Sequence, residues 1–210
     1  MASYWIDGER WTPEGGSFNE WQELLTAVYK ELTPRKRGLQ KILADGEELT
    51  SLMAGQTPAQ TPDSYGRIDF TTLEVIQIAF QGLENGRTFI PNLQKILLGA
   101  AEFARLGDDQ KKSEAISGAL EGIKLLITLM VNLQNLYQLN FREIALDNGE
   151  NISDALVRLN EILENLNDAQ VRHDDIELAD ILEYRLSEEI VGFDRLFDAL
   201  KATLLSRIGN

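Results

Sequence analysis

The sequence carries one histidine and no cysteine, which restricts the chemistry available to its side chains. Without cysteine the chain has no disulfide, thiolate metal ligand or cysteine nucleophile. The histidine, His173, lies at a predicted turn between helices, whereas a phosphotransfer histidine is exposed in mid-helix. Gln170 stands where a di-metal Glu-x-x-His motif would have its glutamate. We therefore expect His173 to be a turn residue that interacts with the last carbonyl groups of a helix.

Acidic side chains form a second cluster with possible chemistry, directly after the histidine. Its members are Asp174, Asp175, Glu177, Asp180 and Glu183. The cluster would attract a divalent cation, but it lacks the alternating oxygen ligands and the central glycine of a calcium loop. Acidic residues are also favoured at a helix N-terminus by the helix dipole. We interpret the cluster as the solvated face of a helix.

Recognisable catalytic motifs are absent from the sequence. It has no glycine-rich phosphate loop, no nucleophile elbow and no paired acid and base. The sequence therefore predicts a protein that is not an enzyme and that holds no cofactor and no metal. Because carboxylates far apart in sequence can still meet in space, a bundle that binds a small ligand or a divalent cation stays open as the alternative function.

The charge balance limits the possible partners. The chain has 34 acidic and 20 basic residues and a formal net charge of -14, which opposes non-specific binding to nucleic acid and to anionic lipid. The N-terminus lacks the basic start and apolar run of a signal peptide. The longest apolar tract, around Leu125 to Val131, is far shorter than the ~20 residues of a membrane span. We expect a cytoplasmic protein that binds neither nucleic acid nor membrane.

Aromatic residues flank an Asp-Gly dipeptide near the N-terminus, in the segment YWIDGERW. A type I′ turn needs positive φ at both central residues, so Asp7-Gly8 predicts a β-hairpin, and we expect it to be the only strand pair. An isolated hairpin is marginally stable in water. Tyr4, Trp5 and Trp11 are therefore candidate interaction residues, which pack either on the chain's own helices or on a partner.

Apolar residues recur at helical spacing through the rest of the chain. The predicted helices are a short one after a capping box at Ser17, one from Pro34 to Met53, one from Phe70 to Ala104 through Gly86 and Pro91, one from Asp109 to about Asp147, one from Ile152 to about Arg172, and one from Asp174 onward. About three-quarters of the chain should be helical. These segments predict an all-α fold, an antiparallel bundle of long helices with a small N-terminal β-hairpin.

The segment Gly55 to Ile68 has two Thr-Pro steps and no periodicity, and it marks the best domain boundary. The predicted organisation is residues 1–55 for the hairpin and two short helices that pack on the main body, 56–69 for a linker loop, and 70–210 for the bundle. The helix from Ile152 to Arg172 is too short to cover its longer neighbours. Either the N-terminal helices fold back over the uncovered length or a second copy covers it, and we favour a homodimer with antiparallel or end-to-end packing of the bundles.

The most apolar segment, Ser113 to Arg142, covers roughly two-thirds of a helical wheel with apolar side chains and predicts a central helix with neighbours on both flanks. Its narrow polar strip contains Thr128, Asn132 and Asn135. One interpretation is that these are buried groups that fix the register of the helices. The other is that they line a groove in which a partner helix or extended peptide docks.

The segment from Asp174 to Tyr184 contains the pattern D-x-x-x-L-A-D-x-L-E-Y. It resembles a stretch in an uncharacterised family of acidic, all-helical proteins of Gram-positive bacteria. The resemblance covers the last two helices and implies a bacterial cytoplasmic protein. It implies no activity.

These observations predict a non-enzymatic helical protein that binds other proteins, as an adaptor, a regulator or a secretion-type chaperone. An interaction protein should show an exposed apolar or aromatic surface, whereas a ligand-binding protein should enclose a pocket with converging polar groups. The tertiary structure can distinguish these two surfaces.

Overall fold

The computed structural model describes residues 2–14, 16–53 and 55–208. The chain divides into two compact units, Met1–Ala79 and Phe80–Asn210. The structure is 66% helical, and its N-terminal unit contains a five-stranded mixed sheet. The all-α prediction is therefore wrong, because the fold is mixed α/β and dominated by helices. The predicted three-quarters of helix was also too high.

The N-terminal unit is built on five strands, β1 (Ser3–Ile6), β2 (Glu9–Trp11), β3 (Arg37–Ala44), β4 (Glu47–Glu48) and β5 (Arg67–Glu74). Their order in the sheet is β2-β1-β5-β3-β4. The central pair β1 and β5 is parallel and the other pairs are antiparallel. Helix α1 (Trp21–Leu32) connects the two hairpins, and a short helix α2 (Thr50–Met53) follows β4. This is the β-grasp topology.

One face of the sheet packs on α1. Side chains alternate between the two faces of a strand. Strands β1, β3 and β5 contribute the residues on one face to this core, among them Ile6, Ile42 and Phe70, while α1 contributes Trp21, Leu24, Val28 and Leu32. The predicted helix ending at Leu32 is confirmed. The predicted capping box is wrong, because the N-cap is Glu20 and makes no side-chain cap bond.

Two Asp-Gly turns hold opposite ends of β5. Asp7 and Asp45 both have positive φ, 51° and 49°, and each is followed by a glycine with positive φ. Asp7 Oδ1 accepts a hydrogen bond from the backbone N–H of Thr72 at 2.8 Å, and Asp45 Oδ1 accepts one from Arg67 N–H at 2.8 Å. The Tyr4 to Trp11 hairpin is therefore confirmed, but the prediction that it is the only strand pair is wrong.

Strand β3 occupies part of the segment in which the sequence predicts a helix from Pro34 to Met53. Its buried residues are Leu39, Ile42 and Ala44. A β-bulge between Leu39 and Lys41 shifts the alternation, so the first two buried residues are three positions apart. That spacing is also the spacing of a helix face, and this explains the wrong prediction.

The second unit is a bundle of long helices. Its elements are α3 (Val75–Leu106), which begins in the first unit, α4 (Asp109–Tyr137), α5 (Ile152–Val171), and a last helix made of α6 (Asp175–Asp180), a π-helical segment (Ile181–Leu186), α7 (Ser187–Val191) and α8 (Phe193–Ile208). One helix continues through Gly86 and Pro91, as predicted, although it starts after Phe70. Helix α4 ends well before Asp147, because Gln138 adopts the left-handed conformation.

Ion pairs at the two ends of α3 show that α3 and the last helix run antiparallel. Near the start of α3, Glu84 Oε1 lies 2.8 Å from Lys201 Nζ in α8. At the other end of α3, Arg105 Nη2 lies 3.0 Å from Asp180 Oδ1 in α6. These helices approach closely at Gly86, where an added Cβ would lie 2.8 Å from Phe197 Cε2. The bundle is thus antiparallel, as the sequence predicts.

Candidate interaction surface

The acidic residues at the start of the last helix are paired with cations from neighbouring helices. Asp175 Oδ1 lies 2.6 Å from Lys112 Nζ in α4, and Asp180 pairs with Arg105 of α3. Hydrogen bonds to Asp109 and then to Asp175 raise the pKa of Lys112. Among the described residues, no group of three His, Asp or Glu side chains is placed to hold a metal ion. The cluster links helices, so its interpretation as a simply solvated face is incomplete.

A surface depression of about 590 Å³ lies beside this cluster, lined by residues of the last helix between Asp174 and Arg185. It is open to solvent, and Tyr184 at its edge is exposed. A small-ligand site would instead be an enclosed cleft with a few converging polar groups. This depression therefore gives little support to the alternative of a ligand-binding bundle.

His173 ends α5 in a left-handed turn. Its φ is 54°, and the N–H of the next residue, Asp174, donates to the carbonyl of Ala169 at 3.0 Å. This is the bonding of a helix C-terminus closed by a left-handed residue, a position that glycine usually occupies. The predicted turn position of His173 is confirmed, and its side chain is exposed.

Replacing His173 by glycine should raise the free energy of unfolding of the bundle by about 1 kcal/mol, because a residue with a Cβ is strained in the left-handed region and glycine is not. Urea unfolding followed by far-ultraviolet circular dichroism measures this change. The control His173→Ala removes the imidazole but keeps the strain, so it should give no such gain. Equal effects of the two substitutions would contradict the explanation by backbone strain.

Two of the three aromatic candidates of the hairpin belong to the core of their own unit. Tyr4 is buried, and its ring meets those of Trp11 and Phe18 edge to face, with centroids 6.2 and 5.9 Å away. Burial, with a smaller contribution from the Asp63 carboxylate, raises the pKa of Tyr4. Tyr4 and the half-buried Trp11 therefore stabilise the sheet and offer little surface to a partner.

Trp5 lies on the opposite face of the sheet, which α1 does not cover. The guanidinium carbon of Arg67 is 4.4 Å from the centre of its ring, a cation–π distance. Arg67 Nε also donates to Asp69 Oδ2 at 2.7 Å. Trp5 is half-buried under this ion pair, so it is the one aromatic candidate of the hairpin that remains accessible outside the core.

The polar candidates of the central helix, Thr128, Asn132 and Asn135, are all exposed. Thr128 Oγ1 donates to the carbonyl of Lys124 in its own helix at 2.7 Å. In the described part of the chain, the Asn132 side chain has no hydrogen bond. The interpretation of these residues as buried groups that fix helix register is therefore wrong. Their accessibility leaves the docking interpretation open.

Apolar side chains flank these polar groups on the same outer face of α4. Leu125 is 66% exposed and Leu136 is 57% exposed. We define the α4 strip as Leu125, Thr128, Val131, Asn132, Asn135 and Leu136, which span about 140° of the helix at 100° per residue. The opposite face of α4 is buried and consists of Ile116, Ala119, Gly122, Ile123, Leu126, Met130 and Leu133. Helix α4 has neighbours, α3 at Gly122 and α6 at Lys112, but its surface that meets water is wider than the narrow polar strip that the sequence predicts.

The α4 strip is also free of charge. From Leu125 to Phe141 no residue is acidic or basic, in a chain of which 26% is charged. Among the described residues, α4 is the one helix that is long and apolar enough to cross a membrane. Core helices of soluble proteins pass the same test, so this property alone does not assign α4 to a membrane.

The fold and its surface place the chain in the class of helix-dominated α/β proteins, with a β-grasp unit, a helical bundle and an uncovered neutral face on that bundle. The chain belongs to the family defined by a domain of unknown function, DUF8042, whose family model matches residues 81–193. The match runs from α3 to the first residue of α8. An uncharacterised family was predicted, and this is confirmed. Comparisons with curated proteins and with solved structures gave no match.

Proposed function

We propose that this protein is a non-enzymatic interaction protein that binds a protein partner along the α4 strip. The observation that carries the proposal is the exposure of Leu125 and Leu136 on a face without charge. Exposed apolar surface rimmed by polar residues marks protein–protein interaction sites, and here Val131 and three polar side chains lie between the two leucines. A partner helix would pack on these apolar flanks, and Asn132 would fix its register by hydrogen bonds.

The alternative function, a bundle that binds a divalent cation, has weaker support. A divalent cation at the start of the last helix would compete with Lys112 and Arg105, which already pair with Asp175 and Asp180. Lys112, whose side chain is only 16% exposed, would be left with an uncompensated charge if a cation took Asp175 from it. We therefore favour the interaction protein over the cation-binding bundle.

The biological setting also remains a proposal. An adaptor, a regulator or a secretion-type chaperone would each use an exposed helix face of this kind. The setting we propose is the cytoplasm of a Gram-positive bacterium, which rests on the resemblance carried by Asp174 to Tyr184. The acidic surface, with a net charge of -14, would disfavour nucleic acid and anionic lipid as competing partners.

Site-specific photocrosslinking in the producing cells tests the proposed function. A benzoyl-phenylalanine residue at Thr128 should form covalent adducts with protein on illumination, because the benzophenone would lie within the interface. The control position is Val157, which like Thr128 is exposed but lies on α5. Adducts that are absent at Thr128, or equally abundant at both positions, would show that the α4 strip is not an interaction surface.

A further inference from the structure

The spacing of the two exposed leucines makes the α4 strip self-complementary about a two-fold axis. We propose that its partner is a second copy of this chain, bound with the two α4 helices antiparallel about a two-fold axis. This inference rests on the proposed function and names the partner. The axis would pass near Val131 and Asn132, midway between the two most exposed leucines of the strip.

The positions of Leu125 and Leu136 satisfy the symmetry of such a contact. They are separated by about 16 Å along the helix and by about 20° around it, at 1.5 Å and 100° per residue. A two-fold interface requires that residue i of one copy contact residue j of the other, and that j contact i. Antiparallel pairing places Leu125 of each copy on Leu136 of the other, and Thr128 near Asn132.

The charges beside the strip select the antiparallel orientation. Glu121, one turn before Leu125, and Lys124, directly before Leu125, are both exposed. In the antiparallel arrangement they would lie beside the segment from Leu136 to Asn140 of the other copy, which carries no charge. A parallel arrangement would instead place Glu121 on Glu121 and Lys124 on Lys124, and like charges repel. In the antiparallel arrangement the positive end of each helix dipole also lies near the negative end of the other, which is favourable.

The net charge explains why the contact would use this face. Two copies that each carry a charge of -14 repel one another over most of their surfaces. The charge-free run from Leu125 to Phe141 offers a face on which apolar contact is not opposed by local repulsion. Exposed leucines on that face lose contact with water when they pair, and this burial is favourable.

The small area of the strip indicates that the two copies associate weakly. A single helix face about 16 Å long buries much less than the ~800 Å² per partner of a standard stable interface. We therefore expect a weak dimer, with a dissociation constant above about 1 μM. Sedimentation velocity should show the apparent mass rising with concentration. The double variant Leu125→Gln/Leu136→Gln should remove this rise, whereas the control Val157→Gln on α5 should keep it.

Disulfide trapping with purified full-length protein tests the orientation. The chain has no cysteine, so each introduced thiol is the only one in its chain. We expect a mixture of Leu125→Cys and Leu136→Cys, one of them carrying a size tag, to form the mixed disulfide at least ten times faster than a mixture of two Val157→Cys proteins. Each variant alone should not link, because the like positions would lie about 16 Å apart and a disulfide needs Cβ atoms about 3.8 Å apart.

The outcomes separate this inference from the proposed function. Rapid linking of each variant alone would indicate a parallel pair, and a mixed rate equal to that of the Val157→Cys control would indicate no specific contact; either result overturns the antiparallel dimer. Flotation on phosphatidylcholine vesicles that is lost in the double glutamine variant would overturn it in favour of lipid. If the dimer fails while photoadducts at Thr128 contain another protein, the proposed function stands and the second copy is excluded.

Discussion

Replacing Asp7 by alanine is expected to lower the free energy of unfolding of the N-terminal unit by about 3 kcal/mol. The Asp7 carboxylate accepts from Thr72 N–H at 2.8 Å and from Thr72 Oγ1 at 2.6 Å, and Arg37 Nη2 lies 3.2 Å from it. Thr72 is only 3% exposed, so its N–H would be left buried without an acceptor. Alanine would also be strained at the φ of 51° that Asp7 adopts.

Tryptophan fluorescence measures this loss selectively, because Trp5, Trp11 and Trp21 are the only tryptophans and all lie in the first unit. The matched control is Asp45→Ala, at a turn with the same backbone conformation. Asp45 accepts from the N–H groups of Gly66 and Arg67, which are exposed, so water can replace it and the loss should be about half as large. Equal losses at both turns would show that the burial of Thr72 is unimportant.

The second large effect is expected at Gly86 in α3. An added Cβ would lie 2.8 Å from Cε2 and 3.1 Å from Cζ of the buried Phe197 ring. The ring also packs edge to face on Phe193, with centroids 5.9 Å apart, and so has little room to move. Overpacking of a core by a methyl group costs about 1–3 kcal/mol, which exceeds the ~1 kcal/mol that alanine gains over glycine within a helix.

Gly99→Ala is the matched control, in the same helix and with the same chemical change. No atom lies within 4 Å of its added Cβ, so the helix-propensity gain of up to ~1 kcal/mol should appear alone. Because the propensity gain is common to both variants, we expect them to differ by the overpacking cost alone, about 1–3 kcal/mol, in denaturant unfolding followed by far-ultraviolet circular dichroism. If Gly86→Ala proves as stable as Gly99→Ala, the close approach of α3 and α8 is not a constraint on the bundle.

Local hydrogen bonding made several elements predictable from sequence. Asp108, Asn151 and Asp174 each accept a bond from a backbone N–H three residues later, and each begins a helix where the sequence predicts one. The Asp7-Gly8 hairpin was found for the same reason, since its turn needs only the conformations of two adjacent residues. Signals of this kind do not depend on the rest of the fold.

Strands that depend on distant partners were missed. Asp45-Gly46 carries the same turn signal as Asp7-Gly8, but the spacing of Leu39 and Ile42 imitated a helix because of the bulge in β3. In β5 the buried residues Ile68, Phe70 and Thr72 alternate regularly, yet the strand passes into α3 without a glycine or proline to mark the boundary. Pairing with β1 and β3, which are far away in sequence, is what makes β5 a strand.

The α4 strip was likewise predictable from the sequence only in part. The sequence by itself determined that α4 is an apolar helix with Thr128, Asn132 and Asn135 on one strip, and that no charge follows Leu125 before Arg142. It could not determine which apolar residues are covered, because a helical wheel specifies directions and not neighbours. Only the tertiary structure decided that Leu125 and Leu136 remain exposed: the neighbouring helices meet the opposite face of α4, and burial depends on which surfaces they reach.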